Sequence, residues 1–165
     1  MLNKLKSFTK EILVFIVTLI IISNAISYYK SSDLKKDSLS IKSLVLIDDS
    51  TYTVPKDRAI LVHFWGTWCP ICKVEAPNID AVSKEYEIIT IAVDSKNDEH
   101  IKKYLKQNNV NYKVFNDEYS KYASQYNIEV YPTSFIYDKY GKLVFTEVGY
   151  TSTWGLKLRM WWANL

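Results

Sequence analysis

Unbroken apolar runs and helically spaced apolar stripes alternate along this chain, and together they lay out a mixed α/β unit. Ile60-Leu61-Val62-His63-Phe64 is an apolar run of strand length, which predicts a strand buried on both faces. Lys73 to Tyr86 reads as a helix with Val74, Ile79, Val82 and Tyr86 at its apolar positions. Ile88 to Val93 is a second, β-branched run, parallel to the first through a right-handed crossover. Asp98 to Gln107 carries a helical stripe of Ile101, Tyr104 and Leu105; Val110 to Phe115 reads as a short extended piece, and Tyr119 to Tyr126 as a short helix. Ser134–Tyr137 and Leu143–Phe145 form a hairpin around Asp138-Lys139-Tyr140-Gly141, and a last helix runs from about Thr153 to Asn164. Upstream, Leu44–Ile47 and Tyr52–Pro55 flank Asp48-Asp49-Ser50 as a further hairpin.

The first part of the chain has a different pattern. Lys4, Lys6 and Lys10 precede Ile12 to Ile22, an apolar block with no polar face, so it does not read as an amphipathic core helix. A positive stretch followed by an apolar block is an export signal. Ser23-Asn24-Ala25 supplies the small residues needed for cleavage after Ala25. The weakly polar run nevertheless continues to Tyr28-Tyr29, about 17 residues in all, the short end of a bilayer span with tyrosines at interface depth. The favoured reading is an uncleaved anchor over residues 1–28, with cleavage as the competing outcome. Lysines on the N-terminal side place the domain beyond the block outside the cytoplasm. No cysteine lies near the block, which excludes a lipoprotein anchor. Residues 29–42 are rich in Ser, Lys and Asp and read as a linker.

Composition narrows the class. A chain of 165 residues with 48% apolar content is expected to form one domain with a proper core. A net charge of +3 without a basic cluster argues against nucleic acid as a partner. The 13 tyrosines are dispersed, which suits ordinary core and surface use.

The chemistry is concentrated in the only two cysteines, Cys69 and Cys72, between the Ile60–Phe64 strand with its Gly66-Thr67-Trp68 turn and the following helix. Zinc sites use this spacing but need four ligands. His63 lies within the apolar run and His100 in a charged stretch without ligand spacing. Haem attachment would need a histidine where Lys73 stands. A purely structural disulfide here would close a very short loop and restrain the unfolded chain little. At a helix N-terminus, unpaired backbone N–H groups and the helix dipole favour a thiolate at Cys69. Thiolate is the nucleophile of disulfide exchange, and Cys72, a turn further on, is placed to resolve a mixed disulfide. Pro70 and Ile71 add no charge between the cysteines.

Trp68-Cys69-Pro70-Ile71-Cys72, with Pro77 further along the helix and Val130-Tyr131-Pro132-Thr133 downstream, resembles the thioredoxin superfamily. The resemblance covers about the last 120 residues, a normal domain size. It implies a thioredoxin fold of the α/β class over residues 43–165, a central mixed sheet flanked by helices. Here that fold carries an N-terminal β-hairpin extension and an N-terminal transmembrane helix. It also implies that Pro132 is cis and lies beside the cysteine pair, where it docks a partner's backbone, with Trp68, Tyr131 and Thr133 as substrate-binding neighbours. Such an extension is similar to the TlpA/DsbE-like branch, in which an acid at the position of Glu75 assists proton transfer at the buried cysteine. The alternative for Glu75 is a solvated helix glutamate. His63 stands where thioredoxin keeps a buried aspartate, and reads either as a hydrogen-bonded core group or as a proton relay.

Gly149 to Trp162 is similar to the C-terminus of the suppressor-of-copper-sensitivity protein D (ScsD) group, membrane-anchored protein disulfide oxidoreductases. Read for packing alone, the same stretch is an amphipathic helix that lays Leu158, Trp161 and Trp162 on the sheet. Cytochrome c maturation thioredoxins carry a glutamate directly after the cis-proline, where this chain has Thr133. The resemblance therefore implies an inner-membrane, periplasm-facing thiol–disulfide oxidoreductase with Cys69, Cys72, Pro132 and Glu75 as its catalytic set. Its partners would be exported protein thiols and disulfides and a transmembrane thiol reductant of the DsbD/ScsB type. The redox group would be the Cys69–Cys72 disulfide, with no organic cofactor and no metal. Two other classes remain: an apocytochrome reductase, and a non-enzymatic module using both thiolates as soft Cu(I) ligands, in which the Pro132 segment has no task.

Overall fold

The strand β3 (Ile60–Trp65) is buried at every position because it lies in the middle of a five-stranded sheet with helices on both sides. The computed structural model describes residues 10–15, 17–18, 21–22, 34 and 39–165. The sheet also contains β4 (Glu87–Val93), β5 (Val114–Asp117), β6 (Thr133–Tyr137) and β7 (Leu143–Val148), in the order β5-β4-β3-β6-β7. β3, β4 and β5 run parallel; β6 and β7 are antiparallel to their neighbours. This is the mixed sheet of the thioredoxin fold.

Moving from β3 to β4 to β5 in one direction makes both crossovers lie on the same face. Helices α1 (Pro70–Ser83) and α2 (Asp98–Gln107) therefore share that face, joined by the C-terminal α4 (Thr153–Ala163). Leu61, Trp65, Ile79, Val82, Ile101, Leu156 and Met160 form its core. The other face packs Ile60, Val62, Phe64, Ile89, Ile91 and Phe135 against the short α3 (Lys121–Gln125) and the N-terminal hairpin. That hairpin, β1 (Ser43–Val45) and β2 (Thr51–Thr53), is a separate antiparallel pair that buries Leu44 and Tyr52. The Asp48 carboxylate accepts from the Ser50 N–H and hydroxyl to close its turn. Gly141, at φ 75°, makes the corresponding turn between β6 and β7.

Several expectations need revision. α1 starts at Pro70, three residues early, because Cys69 caps it and proline is tolerated at the first helical position. Its buried side is Cys72, Glu75, Ala76, Ile79 and Val82, so Val74 is 68% exposed and Tyr86 lies beyond the helix end. β5 begins at Val114, where pairing with Thr90 starts, leaving the buried Val110 and Tyr112 outside the ladder. On α4 the buried stripe is Leu156, Met160 and Ala163; Leu158, Trp161 and Trp162 are exposed. That helix carries two apolar stripes, and the sheet takes the one without tryptophan. Residues 39–42, read as linker, lie against the domain: Leu39 N–H donates to the Gly141 carbonyl and Ile41 is buried. The expected span over residues 1–28 falls mostly outside the described residues. Among those described, no helix is long and apolar enough to cross a membrane.

Candidate active site

β3 delivers the chain to a tight turn at Gly66 and Thr67. A Cβ on Gly66 would sit 2.7 Å from the Trp68 indole, so only glycine lets that ring fold back over the turn. The indole N–H donates to the Val93 carbonyl at 3.1 Å, and the half-exposed ring meets Tyr131 edge-on at 5.3 Å between centroids. Thr67 N–H donates to the Ser95 hydroxyl at 2.9 Å, which ties the turn to the end of β4.

Cys69 is the N-cap of α1. Its Sγ accepts the Cys72 N–H at 3.2 Å, and Cys69 and Cys72 are joined as a disulfide. The sulfur thus occupies the place where free helical N–H groups and the dipole stabilise negative charge. Both cysteines are buried and belong to the core cluster beneath the turn. The Tyr131–Pro132 bond is cis, and the Pro132 carbonyl accepts from Gly149 N–H at 2.8 Å. Trp68 and Tyr131, both expected to bind substrate, are in contact across the site. Thr133 is buried, and its hydroxyl donates to the Val130 carbonyl at 2.7 Å.

Glu75 is not a solvated helix glutamate. One turn beyond Cys72 on the same side of α1, it is 1% exposed. Its Oε1 accepts the Thr151 N–H at 2.7 Å, while Oε2 has no hydrogen-bond partner among the described residues. Burial pushes its carboxyl up to about 8, opposed by the Thr151 N–H. His63 Nε2 lies 4.0 Å from that free Oε2, and His63 Nδ1 is 2.9 Å from the Ser134 hydroxyl. Burial lowers His63 to about 3, so its ring is neutral at pH 7.

The registers explain how these groups meet. His63 pairs with Ser134 across β3 and β6, and Ser134 pairs with Glu147 across β6 and β7. Directly opposed residues share a face, so His63, Ser134 and Glu147 form one polar row under α1 and α4. Arg159 of α4 forms an ion pair with Glu147. Burial raises the Glu147 carboxyl, and the Arg159 guanidinium opposes that rise. Sequence reasoning missed Ser134, Glu147, Arg159 and Thr151. Ser134 was marked by being a small polar residue in an apolar strand, whereas Thr151 acts through its backbone and leaves no side-chain signal.

Residues 35–146 match the AhpC/TSA family. The chain belongs to the AhpC/TSA family. The chain is 29% identical over 164 residues to a thioredoxin-like protein of Haemophilus influenzae, covering 98% of each chain. It is also 33% identical over 98 residues to the thiol-disulfide oxidoreductase ResA of Bacillus cereus, a match that spans 57% of each. A solved thiol:disulfide interchange protein of the thioredoxin family from Chlorobium tepidum superposes with a TM-score of 0.65 at 26% identity, covering 80% of this chain and 99% of that one. With a disulfide-bonded CxxC at the first turn of α1, this AhpC/TSA family member is a thiol–disulfide oxidoreductase of the thioredoxin type.

Proposed function

We propose that this chain is a membrane-anchored, periplasm-facing reductase or isomerase of protein disulfides, in the manner of the ScsD group. The observation that carries it is the Cys69–Cys72 disulfide at the N-terminus of α1, preceded by Trp68, whose ring meets that of Tyr131, the residue before the cis Pro132. In the reduced enzyme the Cys69 thiolate attacks a partner disulfide, and one partner sulfur leaves as a thiolate. Cys72 then gives its proton to the Glu75 carboxylate and attacks Cys69 Sγ. The second partner sulfur leaves, and the enzyme ends as the disulfide with Glu75 protonated. Two electrons pass to the partner. A carboxyl shifted up to about 8 by burial is matched to thiols for this exchange.

The setting rests on the sequence: lysines before an apolar block, and two cysteines kept for chemistry in an exported domain. A transmembrane thiol reductant of the DsbD/ScsB type would re-reduce the pair, and exported proteins would be its targets. Thr133 in place of a glutamate after Pro132 speaks against specialisation for apocytochrome. Thiol trapping of the membrane fraction of living cells tests the direction of flux. A mostly reduced Cys69–Cys72 pair is expected; a mostly oxidised pair would point to an oxidase, or to a protein waiting for an absent donor, and would overturn the reductase direction.

A further inference from the structure

The mechanism makes no use of His63, a buried ionisable group beside Glu75. His63 is 2% exposed, and its Nε2 is 4.0 Å from Glu75 Oε2, the one carboxylate oxygen there without a hydrogen-bond partner among the described residues. At that distance no direct bond is made. A neutral imidazole carries one N–H, and its place is set by what the other nitrogen meets. Nδ1 meets the Ser134 hydroxyl at 2.9 Å. When that hydroxyl donates, the ring proton lies on Nε2 and faces Glu75.

We propose that His63 is a positioning residue for Glu75: held by Ser134 as the Nε2–H tautomer, it closes on Oε2 and donates a hydrogen bond to the carboxylate. That carboxylate forms when Glu75 gives its proton to the Cys72 thiolate during reduction of the enzyme. The proton leaves the carboxyl oxygen and bonds to Sγ, and the charge left on Glu75 is stabilised by the Thr151 N–H on Oε1 and His63 on Oε2. When Cys72 returns the proton, His63 releases Oε2 and the disulfide-state geometry is restored. The inference rests on the role given to Glu75 above.

Other groups surrounding Glu75 do not supply this donor. Glu147 on β7 is a like charge that disfavours the carboxylate, and Arg159 on α4 is engaged by Glu147. The Tyr112 phenol, ahead of β5, is pushed far up by burial and keeps its O–H, but it makes no hydrogen bond to Glu75. Asp80 on α1 is bound to Lys84.

The test tracks the Glu75 carboxyl directly in the full-length oxidised protein, by its infrared C=O stretch against pH, identified by its loss in Glu75→Gln. Losing a hydrogen bond to a charged group predicts that His63→Leu moves the Glu75 midpoint upward by about one to two pH units. His63→Gln keeps an N–H donor and is expected to stay within about half a unit of the parent. Ser134→Ala frees the tautomer and is expected to give a smaller upward shift. An unchanged or lowered midpoint in His63→Leu, or equal shifts in His63→Leu and His63→Gln, overturns the proposal. Should circular dichroism show that His63→Leu does not fold, Ser134→Ala decides: an unchanged midpoint there overturns it. Disulfide turnover by the parent is measured alongside. Its absence would sink the oxidoreductase mechanism, whereas normal turnover with an unmoved midpoint sinks only the role of His63.

Discussion

Glu75 and His63 are buried side by side, and burial moves them in opposite senses, Glu75 up and His63 down. Unfolded, Glu75 releases its proton near 4.5; folded, it holds it to about 8. Between those values the native chain carries the extra proton, so stability falls as pH rises. His63 binds a proton below 6.5 when unfolded but only below about 3 when folded. Across that window the unfolded chain carries the extra proton, so stability rises with pH. The two slopes cancel between 4.5 and 6.5, and from 6.5 to 8 only the Glu75 slope remains. Urea unfolding of the oxidised protein should show about 2 kcal/mol lost over that last interval. Glu75→Gln should abolish the loss; a fall of the same size in the variant would mean that another group titrates. Removing the acid should also slow disulfide exchange by about a hundredfold and flatten its pH profile near 8, measured by stopped-flow reduction of the enzyme. Unchanged kinetics would remove Glu75 from the catalytic set. Cys69 and Cys72 were legible from their place between a strand and a helix, and Glu75 through the resemblance, with a solvated glutamate left open. The environment of Glu75 was not, because burial and the Thr151 N–H come from a loop more than seventy residues away.

At the scale of elements, the sequence announced the strands better than it announced which helix faces pack. β3 and β4 are apolar at almost every position because both of their faces are covered, so their assignment did not depend on choosing a face. α1 and α4 required that choice. Val74 competes with the true stripe on α1, and on α4 the large Trp161 and Trp162 outweigh Met160 in apparent hydrophobicity while remaining at the surface. Truncation separates the two stripes of α4. Met160→Ala should cost about 2–5 kcal/mol, as emptied core sites do. Leu158→Ala, on the exposed stripe, should change stability by less than about 0.5 kcal/mol. Comparable losses at both positions would show that the exposed stripe is also packed. Gly66 is a second element-scale constraint, since its place beside the Trp68 ring was visible in the sequence only as a turn. Gly66→Ala should displace the indole and break its bond to Val93. Loss of the Trp68 indole N–H shift in an NMR spectrum would report that, and an unmoved signal would contradict it.

For the whole molecule, the sheet order gathers residues from distant parts of the chain at one end of the fold. The cysteine pair comes from the β3–α1 junction, Tyr131-Pro132 from the start of β6, and Thr151 from the approach to α4. The junction motif and the proline segment identified the superfamily without a structure, whereas the row His63, Ser134 and Glu147 became visible only once strand register was known. In this arrangement Cys69, at the helix N-terminus, is the attacking thiol and Cys72 the resolving one. Capture of a peptide disulfide substrate by the reduced full-length protein and its two serine variants, read by intact mass, separates the two roles. Cys72→Ser should accumulate a one-to-one mixed disulfide through Cys69, Cys69→Ser should capture nothing, and the parent should turn over without accumulation. Capture by Cys69→Ser together with none by Cys72→Ser would reverse the assignment and contradict the account of the α1 N-terminus.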